Sequence, residues 1–80
     1  MRVADGQIFQ AIGDTWTAWI PEGTTIKLFI SPDGKEDHFA EIGEESELSG
    51  PNVFQCMGFN NHSFFKITGI GADKYIDILA

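Results

Sequence analysis

The chain has 80 residues, a single cysteine and a net charge of −7, which is the size of one small domain. The lone cysteine excludes a disulfide within the chain, and the acidic balance disfavours binding to a nucleic-acid backbone or an anionic membrane. No stretch approaches the roughly 20 apolar residues of a membrane span, and residues 1–6 lack the apolar segment of a signal peptide. Because so small a core rarely supplies more than about 3–5 kcal/mol, a homo-oligomer is expected.

The chain begins with a predicted N-terminal arm, residues 1–6, followed by a single β domain over residues 7–80. Residues 7–12 predict a first strand, and residues 15–20, rich in threonine and aromatic residues, predict a second. Successive side chains of a strand point to opposite faces, so Trp19 is expected to face away from its two neighbours. We therefore expect Trp19 near a surface or an interface.

Residues 25–42 predict a β-hairpin with one buried face. Its first strand has apolar residues at every second position, namely Ile26, Leu28 and Ile30. Its turn is formed by Ser31, Pro32, Asp33 and Gly34. Pro32 presets the φ angle of the second turn position, Asp33 tolerates the third, and Gly34 supplies the left-handed residue that closes the turn. The return limb carries Phe39 and Ile42 among charged residues.

Half of the twelve acidic residues lie within residues 36–47, and they are Glu36, Asp37, Glu41, Glu44, Glu45 and Glu47. One interpretation is a solvated hairpin limb and loop. The alternative is a surface that mimics or meets a basic partner.

The C-terminal half predicts three further strands, over residues 53–59, 63–70 and 75–79. With the earlier segments this gives an all-β fold of about seven short strands, a small antiparallel β-sandwich or flattened barrel. Period-two alternation predicts a core that includes Ile26, Leu28, Ile30, Phe65, Ile67, Ile76 and Ile78. Three rings, Trp19, Phe29 and Phe64, fall on the opposite strand faces and form the candidate protein interface.

The sequence indicates no catalytic residues, no metal site and no cofactor. Ser63 and His62 are neighbours in the chain, but strand neighbours point to opposite faces and make a poor nucleophile–base pair. Cys56 lies in an apolar run and is expected to be an inert buried thiol. The spacing of Asp33, Asp37 and Glu41 does not match an EF-hand calcium loop. The chain is therefore not expected to be an enzyme.

Four segments carry a family resemblance: Pro-Glu-Gly-Thr-Thr at 21–25, Leu-Phe-Ile-Ser-Pro-Asp-Gly at 28–34, Phe-Phe-Lys-Ile-Thr-Gly at 64–69 and Tyr-Ile-Asp-Ile at 75–78. Together they resemble small tailed-bacteriophage virion proteins of the head-decoration and head-fibre kind. In those proteins an aromatic and then an aliphatic residue follow the turn, as Phe39 and Ile42 do here, although tryptophan is usual at the first position. The resemblance implies a β-sandwich without catalytic activity.

The function that this resemblance implies is decoration or stabilisation of a phage capsid, or attachment of a fibre. The partners would be capsid or other virion subunits, and the protein would reside in the virion after synthesis in the host cytoplasm. The alternative hypothesis is a small acidic inhibitor that blocks a basic host protein, such as a nucleic-acid-binding factor. A third hypothesis, a carbohydrate-binding module, depends on Trp19 alone.

Overall fold

The computed structural model describes residues 1–10, 15–42, 47–57 and 63–79, which form nine short β-strands. The strands are β1 (Arg2–Ala4), β2 (Ile8–Gln10), β3 (Thr15–Ile20), β4 (Thr25–Ser31), β5 (Ala40–Glu41), β6 (Glu47–Ser49), β7 (Asn52–Met57), β8 (Phe64–Thr68) and β9 (Tyr75–Leu79). A single 3₁₀ turn, Glu36–His38, lies between β4 and β5. The predicted small all-β antiparallel fold is confirmed, with more strands than the seven expected.

The strands form two antiparallel sheets. The first sheet has four strands in the order β1-β9-β3-β7. The second has the order β2-β8-β4, and both β5 and β6 pair with the same edge of β4. Consecutive strands lie in different sheets, except that β4, β5 and β6 all belong to the second sheet.

One apolar face of each sheet contributes to a shared core. The buried apolar residues are Val3, Phe9, Trp16, Ala18, Ile20, Ile26, Leu28, Cys56, Phe65, Ile67, Ile70, Ile76 and Ile78. Six of the seven predicted core residues are among them, and the seventh, Ile30, is half-buried against the same cluster. At the centre, the Trp16 ring makes edge contacts with Phe54 and Phe65, with ring centroids 5.5 and 5.2 Å apart.

The N-terminal segment is not the separate arm that the sequence predicts. Arg2–Ala4 form an edge strand that pairs with β9, and Val3 is completely buried. The Gly6 amide donates a hydrogen bond to the Ile67 carbonyl at 2.9 Å, which ties the segment to the second sheet as well. Three residues are too few for alternation to be recognised in the sequence, and only the pairing with β9 defines this strand.

The predicted hairpin turn follows β4. The Ser31 hydroxyl oxygen accepts hydrogen bonds from the Asp33 and Gly34 amides, at 3.3 and 2.9 Å, and Gly34 has a φ of +78°. Ser31 is 1% exposed, so these bonds satisfy a buried hydroxyl group. The return limb differs from the prediction because the 3₁₀ turn occupies its first part, which leaves only two residues to pair with β4.

Gly50 allows close backbone contact between two of the segments that connect the sheets, the one after β3 and the one after β6. Its amide donates a hydrogen bond to the Thr24 carbonyl at 2.9 Å, and it forms a β-bridge with Glu22. A Cβ atom at position 50 would lie 1.8 Å from the carbonyl oxygen of Pro21, so only glycine fits between the two segments.

Candidate functional site

The outward face of the first sheet, hereafter the outer face, collects the exposed large hydrophobic side chains of the described part of the chain. They are Met1 at 53%, Trp19 at 53%, Val53 at 59%, Tyr75 at 56% and Leu79 at 70% exposed. Four of the five come from strands of this sheet, and Met1 directly precedes β1. A cluster of this kind on a small domain is a candidate contact site.

The pairing register places these side chains next to one another. Trp19 on β3 lies opposite Val53 on β7, and Thr17 lies opposite Leu79 on β9. Between them is a shallow hollow of about 440 Å³. Its lining includes Met1, Thr17, Trp19, Val53, Asp77 and Leu79. An indole ring beside a shallow apolar hollow is the arrangement found at the centre of many protein contacts.

The side chains of the outer face carry no net charge, although the chain carries −7. The strand residues that point outward here include two charged side chains, Arg2 and Asp77, which form an ion pair with Nε to Oδ1 at 3.3 Å. The Arg2 guanidinium also lies 5.9 Å from the centroid of the Tyr75 ring. The side-chain charges on this face are therefore balanced, and the N-terminal ammonium of Met1 donates a hydrogen bond to the Ile78 carbonyl at 2.8 Å.

The outward side of the second sheet differs from the outer face because several ion pairs form between side chains on its surface. The Lys27 ammonium lies 3.6 Å from a Glu41 carboxylate oxygen and 4.0 Å from one of Glu47. The Lys66 ammonium lies 3.9 Å from a carboxylate oxygen of Glu36. All these acidic side chains are exposed, and such surface pairs are worth at most about 1 kcal/mol each.

The three predicted interface rings do not form one surface, which corrects the sequence-based grouping. Trp19 lies on the outer face, whereas Phe29 and Phe64 belong to the second sheet and are half-buried. The Lys66 ammonium covers Phe29 at 5.4 Å from the ring centroid. Phe64 packs over Gly34, where a Cβ atom would come within 3.0 Å of its ring. Sequence alternation identified the outward direction of each ring but not which sheet it belonged to.

Sequence reasoning missed Val53, Leu79 and Met1 as members of the outer face. The alternation along β9 contained a signal for Leu79, because it places this residue on the same side as Tyr75 and Asp77. The position of Val53 depends on β7 pairing with β3, which are more than thirty residues apart in sequence.

The predicted acidic surface is only partly within the described residues. Four of the six residues are described and exposed. Glu36 and Asp37 lie on the 3₁₀ turn, Glu41 lies on β5 and Glu47 lies on β6. Glu44 and Glu45 lie outside the described residues.

In the hairpin turn, the side chains of Asp33 and His38 are in close contact. His38 Nδ1 lies 2.6 Å from Asp33 Oδ2. The pKa of Asp33 is held below its usual value of 3.8 by a hydrogen bond from the Lys35 amide and by the His38 contact. The described residues hold no group of three or more histidine, cysteine, aspartate or glutamate side chains that could bind a metal ion. His62 lies outside the described residues.

Cys56 is buried on the inward side of β7, and burial raises the pKa of its thiol to about 11. A thiol with so high a pKa is almost entirely protonated at neutral pH and is a poor nucleophile.

No helix within the described part of the chain is long and apolar enough to cross a membrane. Comparison of the sequence with protein-family models and with curated proteins, and of the structure with solved structures, finds no match. The outer face and the sequence resemblance are therefore the observations that bear on function.

Proposed function

We propose that this protein is a non-enzymatic structural component of a tailed-bacteriophage virion, which decorates or stabilises the capsid or attaches a fibre through protein–protein contacts. The observation that carries the proposal is the exposed apolar surface around Trp19 and Leu79 on the outer face, whose charged side chains, Arg2 and Asp77, are paired with each other. The assignment to a phage particle comes from the sequence resemblance described above.

The two sides of the molecule suit a subunit that lies on a larger assembly. The apolar outer face would contact the assembly, and the second sheet, with its exposed ion pairs, would face solvent. Exposed carboxylates on the solvent side limit non-specific adhesion. A capsid offers many identical binding sites, so copies that are joined to one another bind it more tightly than separate copies with the same contact.

The test is the copy number of this protein in purified particles. Particles of a phage that encodes this chain would be purified on a density gradient. Mass spectrometry would then measure the number of copies of the chain relative to the major coat protein. We expect a fixed stoichiometry, with many copies per particle, that persists after a high-salt wash because the contact is apolar. Absence of the chain from the particles would refute the proposal.

The acidic inhibitor is the second candidate function. Its support is the net charge of −7, together with the exposed carboxylates of Glu36 and Asp37 on the 3₁₀ turn. An inhibitor would be absent from particles and would bind a basic protein with an affinity that falls as salt is added. A salt-sensitive complex with a basic host protein, together with absence from particles, would favour this function.

A further inference from the structure

We propose that β7 pairs antiparallel with β7 of a second copy of this chain, so that the two first sheets join into one continuous eight-stranded sheet. This inference concerns the sheet edge and does not depend on the virion assignment.

Within the described residues, β7 is the longest free edge. It is six residues long and pairs on one side only, with β3. The other edge strands, β1, β2, β5 and β6, have three, three, two and three residues. A long edge strand presents a row of unpaired backbone amides and carbonyls, which is a template for pairing with another chain.

The side chains of β7 lack the features that normally protect an edge. Charged residues interrupt three of the short edges, with Arg2 in β1, Glu41 in β5 and Glu47 in β6. The sequence of β7, Asn-Val-Phe-Gln-Cys-Met, has neither a charge nor a proline. Inserted charges and prolines are the usual means by which proteins prevent edge-to-edge pairing.

The core is also incomplete along this edge. Phe54 points inward and contacts Trp16, but it is only half-buried. The inward-pointing residues of the neighbouring strand, Trp16, Ala18 and Ile20, are at most 2% exposed. A strand added beside β7 would cover the open side of the Phe54 ring.

The charge distribution favours a second copy over a basic partner. Copies of a protein with a net charge of −7 repel one another, so they can associate closely only where the surface is uncharged. The edge strand has no charge, and the neighbouring outer face is neutral. A basic partner would find no carboxylate on β7 to bind.

Antiparallel pairing of β7 with itself requires only a two-fold axis between the two strands, so residue i of one copy faces residue j of the other and j faces i. Side chains that point outward, such as Val53 and Gln55, would then lie beside outward-pointing side chains of the partner strand. The two outer faces would lie side by side and present twice the contact area to a common target.

The experiment compares three single variants by sedimentation velocity of the purified protein from micromolar to several hundred micromolar concentration. Wild type is expected to form a dimer in this range. Gln55→Lys introduces charges beside the two-fold axis and should weaken dimerisation by on the order of tenfold or more. Thr15→Lys is the matched control, because Thr15 is exposed on the same face but lies on β3, whose neighbours are β7 and β9. Leu79→Ser is the second control, since β9 is separated from β7 by β3.

Amide hydrogen exchange provides a second measurement. The free-edge amides of β7 should become protected as the wild-type concentration rises, and those of the Gln55→Lys variant should not. Circular dichroism verifies that each variant is folded. A wild-type protein that stays monomeric at all concentrations would overturn the proposal. A dimer that persists in the Gln55→Lys variant but dissociates in the Leu79→Ser variant would also overturn it, because that result indicates face-to-face packing of the outer faces. A wild-type protein that dimerises but does not bind particles would count against the proposed function only.

Discussion

At the scale of single residues, Gly34 shows how a local turn depends on a distant strand. Its φ of +78° requires a residue without a side chain, and the ring of Phe64 closes the space where a Cβ atom would lie. The turn chemistry was readable from Ser-Pro-Asp-Gly alone. The contact with Phe64 depends on the pairing of β4 with β8.

Gly34→Val is expected to lower the free energy of unfolding by more than about 1 kcal/mol, through backbone strain and displacement of the Phe64 ring. Gly23→Val is the matched control: Gly23 has a φ of +83°, but a Cβ atom there meets no atom within 4 Å. Urea denaturation should therefore show a larger loss of unfolding free energy for Gly34→Val than for Gly23→Val. An unchanged midpoint for Gly34→Val would contradict the turn geometry.

Asp33 makes the stability of the hairpin turn dependent on pH. Because the folded state holds the pKa of this carboxyl below 3.8, the ionised form stabilises the fold above that pH. The contribution is lost as the pH falls through the lowered pKa. Asp33→Asn should therefore be less stable than wild type at pH 7, and the difference should narrow below about pH 4.

The measurement is chemical denaturation of both proteins at pH 7 and near pH 3. Asp37→Asn is the control, since the Asp37 carboxylate is 3.8 Å from the His38 ring and highly exposed. If Asp33→Asn is as stable as wild type at pH 7, the contacts of the Asp33 carboxylate with His38 and Lys35 do not stabilise the fold.

At the scale of the element, β7 combines an uncharged free edge with a buried thiol. Cys56 faces the core, and the pKa of its thiol is raised to about 11. We expect a thiol reagent at pH 8 to modify Cys56 slowly in the folded protein and rapidly in urea. The labelling rates, followed by mass spectrometry, test whether this strand is held in place. Equal rates with and without urea would show that β7 opens readily.

At the scale of the whole molecule, the two sheets have distinct outward surfaces. Among the described residues, only the outer face of the first sheet combines a cluster of exposed apolar side chains with balanced side-chain charges, so association through a face should depend on Trp19 and Leu79. The sequence pattern grouped Trp19 with Phe29, but Phe29 lies on the other sheet beneath Lys66. Leu79 is therefore the residue that accompanies Trp19.

The double variant Trp19→Ser, Leu79→Ser is expected to abolish attachment to particles while leaving the unfolding free energy within about 1 kcal/mol, since both side chains are more than half exposed. Co-sedimentation with particles that lack the endogenous protein measures attachment, and thermal melting measures stability. Lys27→Ser, an exposed change on the second sheet, should bind like wild type. Full attachment of the double variant would exclude the outer face as the contact.

The sequence by itself determined the all-β class, the turn at Ser31–Gly34 and the inward or outward direction of most strand residues, because each depends on neighbours within a few positions. Ile26, Leu28, Phe65 and Ile67 are buried for this reason. The tertiary structure alone decided which strands share a sheet. It made residues 2–4 an edge strand, separated Trp19 from Phe29 and Phe64, and joined Trp19 to Val53 and Leu79. Alternation fixes the face of each strand, but a surface is assembled from pairings between residues far apart in the chain, and no local pattern specifies those pairings.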